Sequence, residues 1–154
     1  MRKTQRPGTR WVVVQMLLLA AVGATAPAFG GHWPALVSTA PGALLFLFAA
    51  WTGLAGVRDL GPHRTPSPVP RPKSTLVTTG IYARLRHPLY ASMMAMGFGG
   101  ALLWSSPAGM VVAGILAVFL DAKARHEERL LCQHFPDYPQ YRRRVPRYLP
   151  RPPA

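Results

Sequence analysis

The segment before the second long apolar run of this sequence carries side chains suited to holding a charged, aromatic ligand. Within Leu76–Tyr90, Pro88 suits the first position of a helix, so His87 would stand at the helix start. Backbone N–H groups at that position, with the cation Arg86 beside them, favour an anionic group. Two tyrosines of the segment can stack on a base or face a cation; they are Tyr82 and Tyr90. The alternative is a belt of polar and aromatic side chains at the level of the lipid headgroups.

A second polar cluster follows the second apolar run, over Lys123–Phe135. Adjacent Glu127 and Glu128 supply two of the five acids of the chain. Because a helix rises about 1.5 Å per residue, Glu127 would stand about 10 Å beyond Leu120, within reach of a loop on the same helix face. The alternative is a solvated helix stabilised by opposite charges four residues apart. The tail, His134–Pro150, has aromatic and proline residues amid arginines, and we expect it to fold back over the site rather than lie on the membrane surface.

The elements that position these clusters are predicted to be membrane helices. The 154 residues include 18 Lys and Arg against 5 Asp and Glu, a net charge of +13 that by itself would suggest nucleic acid. Trp11–Val57 and Pro88–Leu120 nevertheless contain no charged residue, so the charges are segregated. This excludes a soluble enzyme domain with an ordinary surface and predicts an integral membrane protein with no nucleic-acid partner. A single cysteine, Cys132, excludes an intramolecular disulfide and a multi-cysteine zinc site, and we predict no metal site.

Two apolar runs predict an all-α fold with about four transmembrane helices. The first run is long enough for spans near residues 11–29 and 38–57, separated by the glycines and prolines of Phe29–Pro41. The second run breaks at Trp104–Pro107 into two segments of about 16 residues, which favours a helical hairpin. We therefore expect three regions: an N-terminal transmembrane hairpin (1–58), a proline-rich cytoplasmic connection (59–73), and a catalytic region with the second hairpin and a cytoplasmic tail (74–154).

The distribution of lysine and arginine predicts the orientation in the membrane. Four precede Trp11, six lie in Arg58–Arg86 and eight lie from Lys123 onward, whereas the connections at 29–41 and 104–107 contain none. By the positive-inside rule, both termini and both polar clusters are expected on the cytoplasmic side of the cytoplasmic membrane. The same cations are expected to attract anionic membrane lipids. Alternatively, the first span is a cleavable signal peptide, because it follows basic residues and ends in small-residue cleavage sites.

Four groups of residues occur in an order known from a family of membrane enzymes. They are Leu76–Tyr82, Arg86–Tyr90, Glu127–Glu128, and a tail with Tyr138, Tyr141 and Val145–Pro150. Over roughly residues 67–150 the sequence resembles the isoprenylcysteine carboxyl methyltransferase and phospholipid methyltransferase superfamily. This resemblance implies a multi-span enzyme that uses S-adenosylmethionine in a cytosolic pocket. The cofactor contacts that it implies are Ser74, Thr75, Leu76, Val77, Tyr82, His87, Pro88, Leu89, Tyr90 and Glu127.

The resemblance also suggests which residues act on the methyl acceptor. Lys123 matches a position where an arginine contacts substrate in the eukaryotic enzymes, and Arg125 is a nearby alternative. The sequence departs from the family pattern at Lys123 itself and at Ser92, where a glycine is common; the first departure puts a prenylcysteine carboxylate in doubt. A carboxylate acceptor needs a cation such as Lys123 or Arg125, whereas an amine or phenol needs a base, for which Glu128 is the best candidate. The sequence leaves both acceptors open, and we expect the acceptor to be lipophilic and to enter from the bilayer.

Two other functions stay open on the sequence. One is a membrane reductase of the sterol-reductase type, which resembles this superfamily in its C-terminal architecture but uses NADPH. The other is a small transporter or scaffold, which is disfavoured because no acidic residue lies inside a predicted span. The sequence lacks a strand, glycine-rich loop and helix in succession, which excludes the soluble nucleotide-binding fold as the cofactor site.

Overall fold

The computed structural model describes residues 8–61 and 75–150 of the chain, and over those ranges it is all helical, as predicted. The helices are α1 (Thr9–Ala28), α2 (Ala35–Leu60), α3 (Pro88–Leu103), α4 (Pro107–His134) and α5 (Tyr138–Arg144), with a short 3₁₀ helix at Gly80–Ala83. Three of them, α1, α2 and α4, are long and apolar enough to cross a membrane, and α3 is a shorter apolar helix of 16 residues. The protein is therefore a membrane protein. Most of the predicted proline-rich connection, together with Ser74, lies outside the described residues.

Prolines mark the starts of α3 and α4. Pro88 and Pro107 occupy the first helical turn, where a missing N–H removes no helical hydrogen bond. The hydroxyl of Ser106 caps α4 by accepting a hydrogen bond from the Gly109 N–H at 3.0 Å. The predicted break of the second hairpin is thus confirmed. In the first run α2 begins earlier than expected, so Pro41 lies inside the helix, where neighbouring membrane helices can accommodate it.

Small residues allow α3 to pack closely between its neighbours. A side chain at Gly53 of α2 would stand 2.7 Å from the hydroxyl oxygen of Ser92, and one at Gly99 of α3 would stand 3.1 Å from the Gly42 carbonyl. The Ser92 hydroxyl donates to the Ala49 carbonyl at 2.7 Å. Such small-residue contacts bring membrane helices together through close backbone approach. Helix α3 packs on α2 and α4, while α1 packs on α4 and α3 rather than on α2. The two helices of the expected N-terminal hairpin, α1 and α2, therefore follow each other in sequence but pack mainly on other helices.

The two ends of the helix bundle differ in charge, because the connections without lysine or arginine lie at one end and the charged segments at the other. At one end the two uncharged connections meet, since the Gly31 N–H donates to the Trp104 carbonyl at 3.1 Å. At the other end, Asp59 accepts from the Ile81 N–H at 2.7 Å, and the ring of Trp11 near the start of α1 stacks on His126. The start of α1, the end of α2, the start of α3 and the polar part of α4 thus share one end.

This arrangement predicts a topology that reporter fusions can measure. Fusions after residues 33, 73, 106 and 150 should report outside, inside, outside and inside, because the cation-bearing end is expected to stay in the cytoplasm. A reporter on the external side after residue 150 would contradict the topology. A disagreement confined to the fusion after residue 33 would favour the signal-peptide interpretation.

Candidate functional site

The start of α3 and the polar part of α4 meet through three predicted site residues. The Tyr90 hydroxyl donates to the Glu127 carboxylate at 2.8 Å. The ring of His87 stacks almost parallel on the ring of Tyr90, with 5.2 Å between centroids, and its Nδ1 lies 4.0 Å from the same carboxylate. Glu127 keeps partial access to solvent. One carboxylate and two stacked rings therefore form a surface suited to a cationic, partly aromatic ligand.

Glu128 has different surroundings from its neighbour, because it lies at the centre of a buried ion network. It is 1% exposed, and His87 Nε2 lies 3.2 Å from its Oε1. Arg147 binds both carboxylate oxygens, from Nε at 3.0 Å and from Nη2 at 2.9 Å. Arg86 Nη2 lies 3.0 Å from the same carboxylate, and Arg142 Nε lies 3.6 Å from it. A buried carboxylate is stable only when it is paired and hydrogen-bonded in this way.

These contacts argue against Glu128 as the general base expected for an amine or phenol acceptor. Burial by itself raises the pKa of Glu128, but the hydrogen bonds with His87 and Arg147 act together with nearby positive charge such as that of Arg86, and the pKa is lowered to about 2. A base needs a pKa near the working pH and free access to the proton that it removes. Glu128 instead holds neighbouring segments together.

Arg125, the alternative cation for the acceptor, lies on the outer side of α4. Its side chain is 68% exposed and its Nη2 lies 2.6 Å from Asp121, four residues earlier in the helix. Asp121 also binds Arg147 Nη1 at 2.7 Å and accepts from the Tyr148 hydroxyl at 3.0 Å. The i,i+4 pairing therefore directs Arg125 toward Asp121 and solvent.

The tail folds back over the start of α3, as the sequence predicts. The backbone N–H of Arg86 donates to the Pro146 carbonyl at 2.9 Å, and that of His87 donates to the Arg147 carbonyl at 3.1 Å. Arg86 Nη1 also donates to the carbonyls of Val145, at 3.0 Å, and Arg142. We expected the backbone N–H groups at the helix start and the Arg86 guanidinium to attract an anionic ligand. The N–H groups of Arg86 and His87 instead bind carbonyls of the tail, and the guanidinium binds the tail and Glu128.

Lys123 reaches the same site from the apolar part of α4, four residues before Glu127. Its side chain is 1% exposed, and Nζ lies 5.5 Å from the centre of the Tyr90 ring. Nζ also donates to the Gln15 amide oxygen of α1 at 2.5 Å. Of the two cations proposed for the acceptor, Lys123 is therefore the one beside Tyr90.

The other residues implied as cofactor contacts lie nearby on a separate surface. Val77 and the largely buried Tyr82 belong to an apolar cluster with Ile81 and Leu85, packed on the end of α2. Pro88 and Leu89 face α2, where a side chain at Gly56 would stand 2.9 Å from Leu89. Thr75 is exposed and Leu76 is half-buried, and neither belongs to a helix. Val77, Tyr82 and Leu89 thus pack the segment that carries His87 against α2, and Ser74 lies outside the described residues.

Three site residues escape the sequence analysis in whole or in part. Arg147 has its signal in the tail motif, but no pattern indicates that it pairs with Glu128. Arg86 was expected to face a ligand, and it faces Glu128 instead. Gln15 stands outside every motif; its signal is a polar amide within a charge-free membrane helix, which usually marks a specific contact.

Comparison with known proteins gives relatives of two kinds. The cobalt-zinc-cadmium resistance protein CzcN of Cupriavidus metallidurans is 39% identical over 82 residues, which cover 53% of this chain and 38% of that protein. The nickel-cobalt-cadmium resistance protein NccN of Alcaligenes xylosoxydans xylosoxydans is 38% identical, with the same coverage of both chains. The protein-S-isoprenylcysteine O-methyltransferase of Mus musculus is 36% identical over 78 residues, 49% of this chain and 28% of that enzyme.

The family match is broader than these pairwise similarities. The aligned stretches span well under half the length of the curated relatives. The phospholipid methyltransferase family, by contrast, matches residues 37–138, which include α3, α4, both polar clusters and all but the first two residues of α2. This match covers well over half of the chain, and with the isoprenylcysteine O-methyltransferase relatives it agrees with the resemblance seen in the motifs. The chain belongs to the phospholipid methyltransferase family.

Proposed function

We propose that this protein is an integral membrane methyltransferase that moves a methyl group from S-adenosylmethionine to the carboxylate of a lipophilic acceptor. The observation that carries the proposal is the arrangement around Tyr90. Its hydroxyl binds Glu127, its ring stacks on His87, and the Lys123 ammonium lies 5.5 Å from the ring centre. A negative group and a buried cation thus lie around one aromatic ring. The methyltransferases of the family and among the relatives support the reaction class.

The residues around Glu127 fit the chemistry of the donor. S-adenosylmethionine supplies a methyl group on a positively charged sulfur and also carries an ammonium group and an adenine ring. The carboxylate of Glu127 suits the positive groups, and the rings of His87 and Tyr90 suit a cation or a base. The family resemblance adds the remaining proposed contacts: Ser74, Thr75, Leu76, Val77, Tyr82, Pro88 and Leu89. In this arrangement the chain aligns the two reactants, and the tail keeps water out.

The surroundings of the acidic residues favour a carboxylate over an amine as the acceptor. Glu128 and Asp121 are both bound by Arg147, and Glu127 accepts a hydrogen bond from Tyr90, which leaves these acids poorly placed to remove a proton. A carboxylate needs no base, and Lys123 offers a cation to orient it. The isoprenylcysteine O-methyltransferase relatives support transfer to oxygen. We propose that the acceptor enters from the bilayer and that the site faces the cytoplasm, where the positive-inside rule places the cations.

Two relatives are named for metal resistance, and that name is a property of those proteins. Within residues 8–61 and 75–150, no group of three His, Cys, Asp or Glu side chains is placed to hold a metal ion. The family match likewise favours methyl transfer over an NADPH-dependent reductase or a transporter.

The first prediction from the site concerns donor binding by the detergent-purified protein. We expect titration calorimetry to show binding of S-adenosylmethionine and none of NADPH. His87→Ala and Glu127→Ala should each weaken S-adenosylmethionine binding by about 1–3 kcal/mol, because each removes a charged or polar contact. The controls are His32→Ala, at an exposed histidine in the connection between α1 and α2, and Asp137→Ala, at an exposed acid. Unchanged affinity in both site variants would contradict the proposed pocket.

The second prediction concerns the tail. Deleting residues 136–154 should abolish donor binding but leave membrane insertion intact, because the tail covers the start of α3.

Arg147→Ala should lower the free energy of unfolding by about 3 kcal/mol, since it breaks a largely buried ion pair. The exposed Arg143 of the same tail provides the control variant Arg143→Ala. Thermal unfolding in detergent measures the stability, and an Arg147→Ala protein as stable as Arg143→Ala would refute the role given to the network.

The third prediction concerns the acceptor. With radiolabelled donor, N-acetyl-S-farnesylcysteine should gain a methyl group that alkali releases as methanol, because a methyl ester is hydrolysed and an N-methyl group is not. Phosphatidylethanolamine should gain no label. Lys123→Met should raise the KM for this acceptor about tenfold or more, as expected when a charged contact to the acceptor is lost, and Arg125→Met should not. Alkali-stable label in the lipid amine would overturn the carboxylate assignment.

A further inference from the structure

Helix α1 contributes one nearly buried polar side chain to the interior of the bundle. Gln15 is 3% exposed and belongs to the charge-free run that begins at Trp11. An amide inside a membrane helix is costly to bury unless it is hydrogen-bonded, and such residues usually mark a functional contact. The family match begins at residue 37, so α1 lies outside it.

The Gln15 amide joins three helices. Its oxygen accepts from Lys123 Nζ of α4 at 2.5 Å, and its nitrogen donates to the Met93 sulfur of α3 at 3.3 Å. Because a thioether sulfur is a weak acceptor, the contact with Lys123 is the stronger of the two. Lys123 in turn lies over Tyr90, whose hydroxyl binds Glu127. A continuous series of contacts therefore runs from α1 to the carboxylate proposed to bind the donor.

We propose that Gln15 is a positioning residue that fixes the Lys123 ammonium for recognition of the acceptor carboxylate. Lysine has a long flexible side chain, and holding its ammonium in one place requires an acceptor at a fixed distance. The amide oxygen of Gln15 provides that acceptor from a separate helix. The inference rests on the proposed function and extends the acceptor site to α1, beyond the part of the chain that the family match covers.

Kinetics of Gln15→Leu test this role. We expect the KM for N-acetyl-S-farnesylcysteine to rise about tenfold, the value for loss of a charge-assisted hydrogen bond, with the Kd for S-adenosylmethionine within twofold of the wild type. In a Lys123→Met background, Gln15→Leu should cause no further change, because Gln15 acts through Lys123. The control is Thr52→Val, since Thr52 is a buried polar residue that bonds carbonyls of its own helix. An unchanged KM, or additive effects in the double variant, would overturn the inference.

A second measurement does not depend on methyl transfer. Lys123 shares the chain with Lys3 and Lys73, which serve as internal references for labelling by an amine-reactive ester, followed by peptide mass spectrometry. The ester should label Lys123 several times faster in the Gln15→Leu variant than in the wild type. In the Thr52→Val variant the labelling rate of Lys123 should equal that of the wild type. Equal labelling would overturn the inference whether or not the acceptor is methylated. If the wild type does not methylate the acceptor but Lys123 is labelled faster in Gln15→Leu, the proposed function is contradicted. The same result would still support the positioning of Lys123 by Gln15.

Discussion

The carboxylate of Glu128 is the point on which the arrangement of the site depends. A buried charge is unfavourable unless cations and hydrogen-bond donors surround it, and here Arg86, His87 and Arg147 all reach it. These partners come from the segment before α3 and from the tail, while the carboxylate comes from α4. The network therefore fixes the relative positions of three parts of the chain, and Glu127, one residue earlier, faces Tyr90 as a result.

The sequence predicted well those features that depend on local patterns. Charge-free runs and prolines gave the helices and the break before Pro107, because membrane insertion and helix starts are decided by neighbouring residues. The contact of Tyr90 with Glu127 also follows from local rules. Tyr90 stands at the start of a helix and Glu127 about two turns beyond an apolar end, so both are expected at the same end of the helix bundle.

The remaining features depend on the directions of side chains and on contacts between distant residues. Glu127 and Glu128 are adjacent, yet successive helical side chains point about 100° apart, and that rotation leaves Glu127 partly exposed beside Tyr90 and Glu128 buried. The sequence likewise did not predict which helices pack against each other. Hydropathy identifies membrane helices without saying which face each one covers, and the glycines of α2 and α3 decide that those two helices approach closely.

The origin of Arg147 in the tail has a consequence for biosynthesis. A ribosome makes the chain from the N-terminus, so α4 leaves it before the residues that pair with Glu128 from the tail side. During that interval Glu128 lacks its bidentate partner, and a carboxylate in this state favours water over a packed interior. The ion network around Glu128 can therefore form only after Arg147 has been made, later in synthesis than the helices that it joins.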